Sequence, residues 1–496
     1  MTLSVGLKKE WSCVCTMRFG FQHWRFKCIA IFGVMSGAVL GEPLQVPIRA
    51  GGATSGAGSP DGAVMAFNPA GVSASGNQFL VELDGRAMSL SLYSTRHEGI
   101  DPNTNEIYLP SNSSEITAGG YLGATFSPND SPLGYGLAIH TSGAHSVDFR
   151  GDEAGPNYQS HQRYGVLFSN MRTTLFTGAV GLPIIDNLHL GFSASAGFDS
   201  LEFVQAWDPL GFEGLGPGED EPGLTNPYSN DVLFSITGNG SHMEFSGGLM
   251  WVSNRYSIGV SYWHSNTLNP KAKGSLVIPP LLGDVTIPIL ADAFVQLAPV
   301  VRVGVNGSPL DWVELSLNGE AALWEVCCSG KDGDMKMSVN DEHGNQIGPD
   351  QGVLSEIAIE NYLALRLKNR FSLQGGVDFR VHERFNIQGE VEWRQPSVPD
   401  YAVNAMNLDF ETLTLGGGIE GSLFGEIVLG LDFAEVLSIP RRITNSAWDV
   451  RVASLDDVDP DYVDERFSPQ LPYTASGNGY YESEMRTFSV RIAGSY

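Results

Sequence analysis

Along much of the chain, apolar residues fall on every second position. From Phe371 to Val381, Phe371, Leu373, Gly375, Val377, Phe379 and Val381 share one face, and Ser372, Gln374, Gly376, Asp378 and Arg380 share the other. After a turn near His382-Glu383, Phe385, Ile387, Gly389, Val391 and Trp393 oppose Asn386, Gln388, Glu390, Glu392 and Arg394. A period of two places successive side chains on opposite faces of a strand. Each run is about ten residues, the length of a tilted membrane strand, where strands of soluble sheets are nearer five or six. Similar runs lie near residues 78–95, 117–127, 133–142, 172–182, 187–206, 242–254 and 256–264. Others follow near 297–306, 312–325, 411–422, 425–435 and 484–496. The pattern predicts an all-β fold, a transmembrane antiparallel β-barrel of about fourteen strands, an even number as up-and-down closure requires. Gln162–Asn170 reads as loop.

The connections alternate between two lengths. Short ones are Pro128–Pro132, Pro183–Asp186, Gly307–Asp311, His382–Glu383 and Ser422–Phe424. Long ones cover roughly 96–116, 143–171, 207–241, 265–296, 326–370, 395–410 and 436–483. In an outer-membrane barrel the short turns are periplasmic and the long loops extracellular, so both barrel ends are expected in the periplasm. The last run, with Phe488, Val490, Ile492, Gly494 and Tyr496 on one face, resembles the C-terminal signal read by the outer-membrane assembly machinery.

Composition narrows the choice. Charged residues are only 17% of the 496, against about 25% in a typical soluble domain. Beyond the N-terminal segment, no apolar run reaches the roughly 20 residues of a membrane helix, which leaves a closed barrel as the spanning structure. The net charge of −27 excludes nucleic acid as a partner, because phosphates would be repelled. Acidic residues gather in expected loops, notably Asp456–Glu465, which lacks the glycine of an EF-hand loop and reads as solvated.

Residues 1–41 read as a signal peptide. Arg18, Arg25 and Lys27 precede the apolar run Cys28–Leu40, and small residues around Gly41 suit cleavage; translation from Met17 would shorten the leader. The mature chain keeps only Cys327 and Cys328, too few for a metal site, and no cofactor is expected. Residues 42–77 form a Gly-, Ala- and Ser-rich segment ahead of the barrel assigned to 78–496. Small residues there fit either a trailing leader or a plug packed in the lumen, and Asn68-Pro69 marks a turn.

Asn68-Pro69-Ala70, placed just after the leader, resembles the N-terminal hatch of the FadL family of outer-membrane transporters for long-chain fatty acids and hydrocarbons. The likeness continues through Pro299–Trp324, around Ser308-Pro309-Leu310-Asp311-Trp312, and through Phe371–Gly418, around Pro396-Ser397-Val398-Pro399 and Leu408–Gly416. The resemblance implies a fourteen-stranded barrel with a luminal hatch and gating through Asn68, Pro69 and Ala70. It also implies passive uptake of a hydrophobic small molecule, foremost a long-chain fatty acid, then an aromatic or alkane hydrocarbon. Exit in that family can be lateral, through the barrel wall. Lipopolysaccharide and other outer-membrane lipids would surround it.

Two expected loops carry apolar stretches, residues 207–216 and 276–297. Exposed apolar patches mark interaction sites, so Trp207, Phe212, Leu281, Leu282, Ile287, Ile289 and Leu290 are the candidate ligand contacts. The rival classes are a general porin and an acyl hydrolase. The second rests on His140-Thr141-Ser142, whose alternation turns His140 and Ser142 to the lumen, away from a lipid substrate. The chain is therefore read as a non-enzyme.

Overall fold

A strand wetted on one face and covered by lipid on the other keeps its backbone bonds only by pairing on both edges, and a ring of strands is the arrangement without free edges. A computed structural model of the chain describes residues 51–94, 111–128, 132–150, 166–207, 232–265, 271–278, 285–294 and 297–327. It also describes residues 335–341, 361–363, 367–400, 403, 408–424, 426–443 and 479–495. The leader 1–41, Asp456–Glu465, Cys328 and Tyr496 lie outside these residues.

A helical turn, α1 (Val64–Phe67), and a 3-10 turn (Pro69–Ser73) precede the strands. The strands begin with β1 (Gln78–Ser94), β2 (Ser111–Phe126), β3 (Gly134–Asp148), β4 (Phe168–Ile185), β5 (Leu188–Trp207), β6 (Val232–Val252) and β7 (Tyr256–Ser265). Next come β8 (Lys271–Ile278), β9 (Val285–Phe294), β10 (Val300–Leu310), β11 (Val313–Ala322), β12 (Met335–Asp341) and β13 (Asn361–Leu363), with α2 (Trp324–Cys327) after β11. The last are β14 (Arg370–His382), β15 (Phe385–Arg394), β16 (Thr412–Phe424), β17 (Ile427–Ser438), β18 (Arg441–Ile443) and β19 (Gly479–Ser495).

Fourteen of these close a ring: β1 to β7, β10, β11, β14 to β17, and β19. All neighbours are antiparallel, and β19 returns to β1 in register from Gln78↔Ser495 to Ser94↔Gly479. This is the expected barrel. The expectation of plain loops at 265–296, 326–370 and 436–483 needs correction, because five further strands lie there. β6 forks: Glu244–Val252 pairs with β7, while Leu233–Asn239 pairs with β8. From β8 the ladder continues to β9, β12 and β13, and β18 adds to the upper end of β19. The ring strands are also longer than the runs that predicted them, up to 21 residues in β6. Thus β4 begins at Phe168, inside the expected loop. The cause is common to both corrections: the strand ladder continues above the lipid, where side chains no longer need to alternate apolar outside and polar inside.

Side-chain exposure fixes inside and outside. On β3, Tyr135, Leu137 and Ile139 are exposed while Ala138 is buried; on β19, Phe488 and Ile492 are exposed while Ser489 and Arg491 are buried. Every ring strand with described side chains presents apolar residues outward, a belt that only lipid covers without cost. At the end with the tight turns, Trp251, Tyr256, Trp312 and Phe385 form part of an aromatic girdle. There Trp312 stacks on Phe379 with ring centroids 6.3 Å apart.

Candidate functional site

Residues 51–77 run through the barrel interior, since they bond to inward-facing groups on strands all round the ring. The Gly51 amide donates to Glu82 Oε2 (2.7 Å) on β1, and the Tyr121 hydroxyl on β2 donates to Gly62 O (2.9 Å). Ser73 Oγ meets His189 Nδ1 on β5 at 2.9 Å. Ser257 on β7 donates to Gly58 O (2.5 Å), Asn306 on β10 to Thr54 O (3.2 Å), and Asn318 on β11 to Ser55 O (3.4 Å). The Ala53 amide donates to Gln388 Oε1 on β15 (3.2 Å). The lipid-exposed wall thus satisfies the backbone of an irregular segment, as buried polar groups require.

Asn68 is the centre of this packing. It is fully buried, and its Oδ1 accepts from the Ala70 amide (3.1 Å), capping the 3-10 turn that Pro69 starts. Its Nδ2 donates to Ala57 O (2.9 Å) within the segment and to Leu249 O (3.1 Å) on β6. Pro69 and Ala70 are buried beside it. The wall yields room through glycine. A Cβ on Gly259 would strike Ala57 O, one on Gly376 would strike Ala53 O, and one on Gly191 the Pro69-Ala70 peptide. These glycines share their strands with apolar outward residues, so their service to the segment was invisible in the alternation.

Charged groups ring the lumen at the level of the segment. Arg491 pairs with Glu420 (2.7 Å) and Asp432 (3.5 Å), and Arg302 and Arg370 share Glu320 at 2.7 and 3.4 Å. Arg394 pairs with Glu392 at 2.9 Å. On the facing wall His242 bridges Asp199 (2.9 Å) and Glu244 (3.3 Å), and Thr173 donates to Asp199 (2.6 Å). Two cavities, of about 370 Å3 and about 80 Å3, are both bounded by Gly51, Gly52 and Ser55. The larger includes residues of the tight turns, such as Asp311 and Trp312, and so lies at the tight-turn end.

Above the charged ring the lumen turns apolar. On β1 the inward column passes from Glu82 and Asp84 to Leu90 and Leu92; on β6 it passes from Glu244 and His242 to Ile236, Phe234 and Val232. These residues join Phe203, Trp263, Trp324, Phe410 and Tyr481 in one buried cluster at the end opposite the tight turns. Its ring-strand members face inward, and Leu276, Ile289 and Ile443 join them from the strands outside the ring, so the cluster is a close-packed apolar layer, called the chamber below. Phe203 and Phe234 meet edge to face at 6.1 Å.

Of the candidate ligand contacts, Ile289 belongs to the chamber and Ile287 packs against it. Leu290 lies on the opposite face of β9, because a strand turns adjacent side chains apart. Trp207 closes β5, while Phe212, Leu281 and Leu282 lie outside the described residues. Sequence reading missed Phe234, Trp263 and Trp324. The signal was present, however: strand ends apolar on both faces cannot have a wholly aqueous lumen.

The backbone ladder of the wall is interrupted at one seam, beyond which Ser146 Oγ donates to Glu115 Oε2 (3.4 Å) and the Asp148 amide to Ser113 Oγ (2.8 Å). β2 and β3 pair only from Tyr121↔His140 to Phe126↔Tyr135, although β2 starts at Ser111 and β3 runs to Asp148. Beyond that point β3 carries a bulge between Thr141 and Gly143. The bulge breaks the strict alternation that was read through Ser142. His140 lies inward beside the Tyr121 ring (5.8 Å), and its Nδ1 has no hydrogen-bond partner among the described residues.

No protein-family model and no curated protein matches the sequence. Solved structures do. A Pseudomonas aeruginosa FadL homologue matches 93% of this chain and 99% of its own at 15% identity, with a TM-score of 0.62. The P. putida toluene transporter TodX matches 90% and 99% at 13% identity and 0.59. The Ralstonia pickettii toluene transporter TbuX matches 90% and 97% at 14% identity and 0.56. The chain thus has the fold of the FadL-type channels, a fourteen-stranded barrel with an apolar outer belt.

Proposed function

We propose that this protein mediates passive uptake of hydrophobic compounds across the outer membrane, with residues 51–77 acting as a hatch gated around Asn68, Pro69 and Ala70. The observation that carries this reading is the apolar chamber stacked directly on the luminal segment. A water-filled porin has no use for Phe234, Trp263 and Tyr481 on its inner wall. A hydrophobic solute entering from outside finds its favourable burial there, and the hatch separates it from the periplasmic cavity. No energy source is needed, because burial drives entry and dilution drives exit. The β2–β3 seam supplies a second way out, into the membrane.

The ligand class follows from the chamber floor. Arg302, Arg370 and Arg394 are already engaged by Glu320 and Glu392, so a carboxylate would have to break an existing pair. This favours an uncharged hydrocarbon, in keeping with the likeness to the toluene transporters. The second reading is a long-chain fatty acid, supported by the likeness to the FadL homologue over 93% of the chain. Uptake of labelled toluene and labelled oleate by cells lacking and carrying the protein tests both. Toluene uptake that depends on the protein is expected. Dependence of oleate alone would reverse the order of the two readings, and dependence of neither would refute uptake.

A further inference from the structure

The hatch and the chamber meet at one side chain. Trp263, on β7, is a member of the buried apolar cluster and only 7% exposed. Its Nε1 leaves that cluster and donates to Phe67 O at 3.2 Å. Phe67 ends α1, and the last carbonyls of a helix have no partner within it. The wall provides donors for both of the final two. Phe67 O also accepts from Ser261 Oγ (2.6 Å), and Ala66 O accepts from Arg302 Nη1 (3.4 Å). Arg302 in turn lies over the Trp263 ring, 5.3 Å from its centroid, and is tied to Glu320. Trp263 is thus a chamber side chain whose hydrogen bond reaches the hatch.

We infer that Trp263 is the positioning residue that transmits chamber occupancy to the hatch, an inference that rests on the uptake reading above. The members of the cluster are all buried, so a ligand of toluene's size enters only by displacing side chains of a close-packed interior. A displaced Trp263 indole cannot keep Nε1 on Phe67 O. The α1 carbonyl then loses its chamber-side donor while Ser261, outside the cluster, keeps its bond. A ligand shifts an equilibrium only by its differential affinity for the two states, and here the difference lies in whether that indole is free to move. Arg302, stacked on the same ring, would move with it and loosen Ala66 as well.

The test is hydrogen–deuterium exchange of the peptide amides of residues 51–77 in the full-length protein, in detergent, with and without toluene. In the wild type, toluene is expected to speed exchange. Trp263→Phe keeps the ring and removes the donor. It should exchange about fivefold faster without toluene, the population shift that one neutral hydrogen bond supports, and show no further rise with it. Ser261→Ala removes a donor to the same carbonyl from outside the chamber, and should raise the basal rate while keeping the toluene response. A toluene response in Trp263→Phe equal to the wild type, or one lost equally in Ser261→Ala, would overturn the inference. Toluene that binds by equilibrium dialysis without changing exchange would overturn it too, and leave uptake standing. Failure of toluene and oleate alike to bind would instead remove the uptake reading, and this inference with it.

Discussion

Replacing Asn68 with alanine should release the hatch. The side chain is fully buried and makes three hydrogen bonds, to Ala57 O, Leu249 O and the Ala70 amide. A typical neutral bond contributes about 0.5–1.5 kcal/mol net, and a buried partner left unsatisfied costs more. Three such bonds give about 3 kcal/mol, and loss of the cap on the 3-10 turn is already counted among them. The barrel ladder itself is untouched, because Leu249 O belongs to a strand already paired on both sides. Nearly all of the loss should therefore appear in docking of residues 51–77 rather than in barrel stability. At 1.4 kcal/mol per decade, the undocked population rises roughly 100-fold. Single-channel recording in planar bilayers would show openings rare in the wild type and frequent in Asn68→Ala, with the melting temperature of the barrel nearly unchanged. Asn68→Asp is the control: it keeps the acceptor for the Ala70 amide but loses both donors and adds a buried charge, so it should open at least as often. Should Asn68→Ala leave both conductance and amide exchange of the segment at wild-type levels, the reasoning that these bonds hold the hatch is wrong.

Other expectations follow from the same contacts. Gly376→Ala would push a methyl group into Ala53 O, and Gly259→Ala one into Ala57 O, so each should raise open probability without altering outward-facing surface. Arg491→Ala strands Glu420 and Asp432 in a buried site and should lower barrel stability by about 3–5 kcal/mol in denaturant unfolding; unchanged stability would mean the pair is dispensable. Asp61, within the hatch, has its carboxyl pushed up to about 6 by burial, against the lowering bonds from Ser55 and the Ala63 amide. A raised acid favours the protonated form in the docked state, so docking is strongest at low pH and weakens as pH rises through about 6. Exchange of the hatch amides, corrected for intrinsic rates, should be slower at pH 5 than at pH 7.5, and Asp61→Asn should lose that dependence. Trp324→Ala, which opens a cavity in the packed chamber, should raise toluene affinity while leaving the conductance of the empty barrel as it was.

Some of this protein is written in its sequence alone. A period of two over about ten residues, as in Phe371–Val381, gives a strand its lipid face and its inner face. The alternation of short and long connections separates the two ends of the barrel, and Asn68-Pro69 marks the start of the 3-10 turn. These features are local, decided by neighbours in the chain. Three others are not. The five strands outside the ring arise where β6 parts from β7 and takes β8 as its partner, a choice set by the spatial position of residues far apart in sequence. The chamber depends on which of two apolar faces of a strand end points inward, so Phe234 and Trp263 joined the site while Leu290 did not. The glycines under the hatch are ordinary strand residues until a second stretch of backbone is laid across them. Periodicity determines which way a side chain can face; only closure of the barrel decides what it then meets.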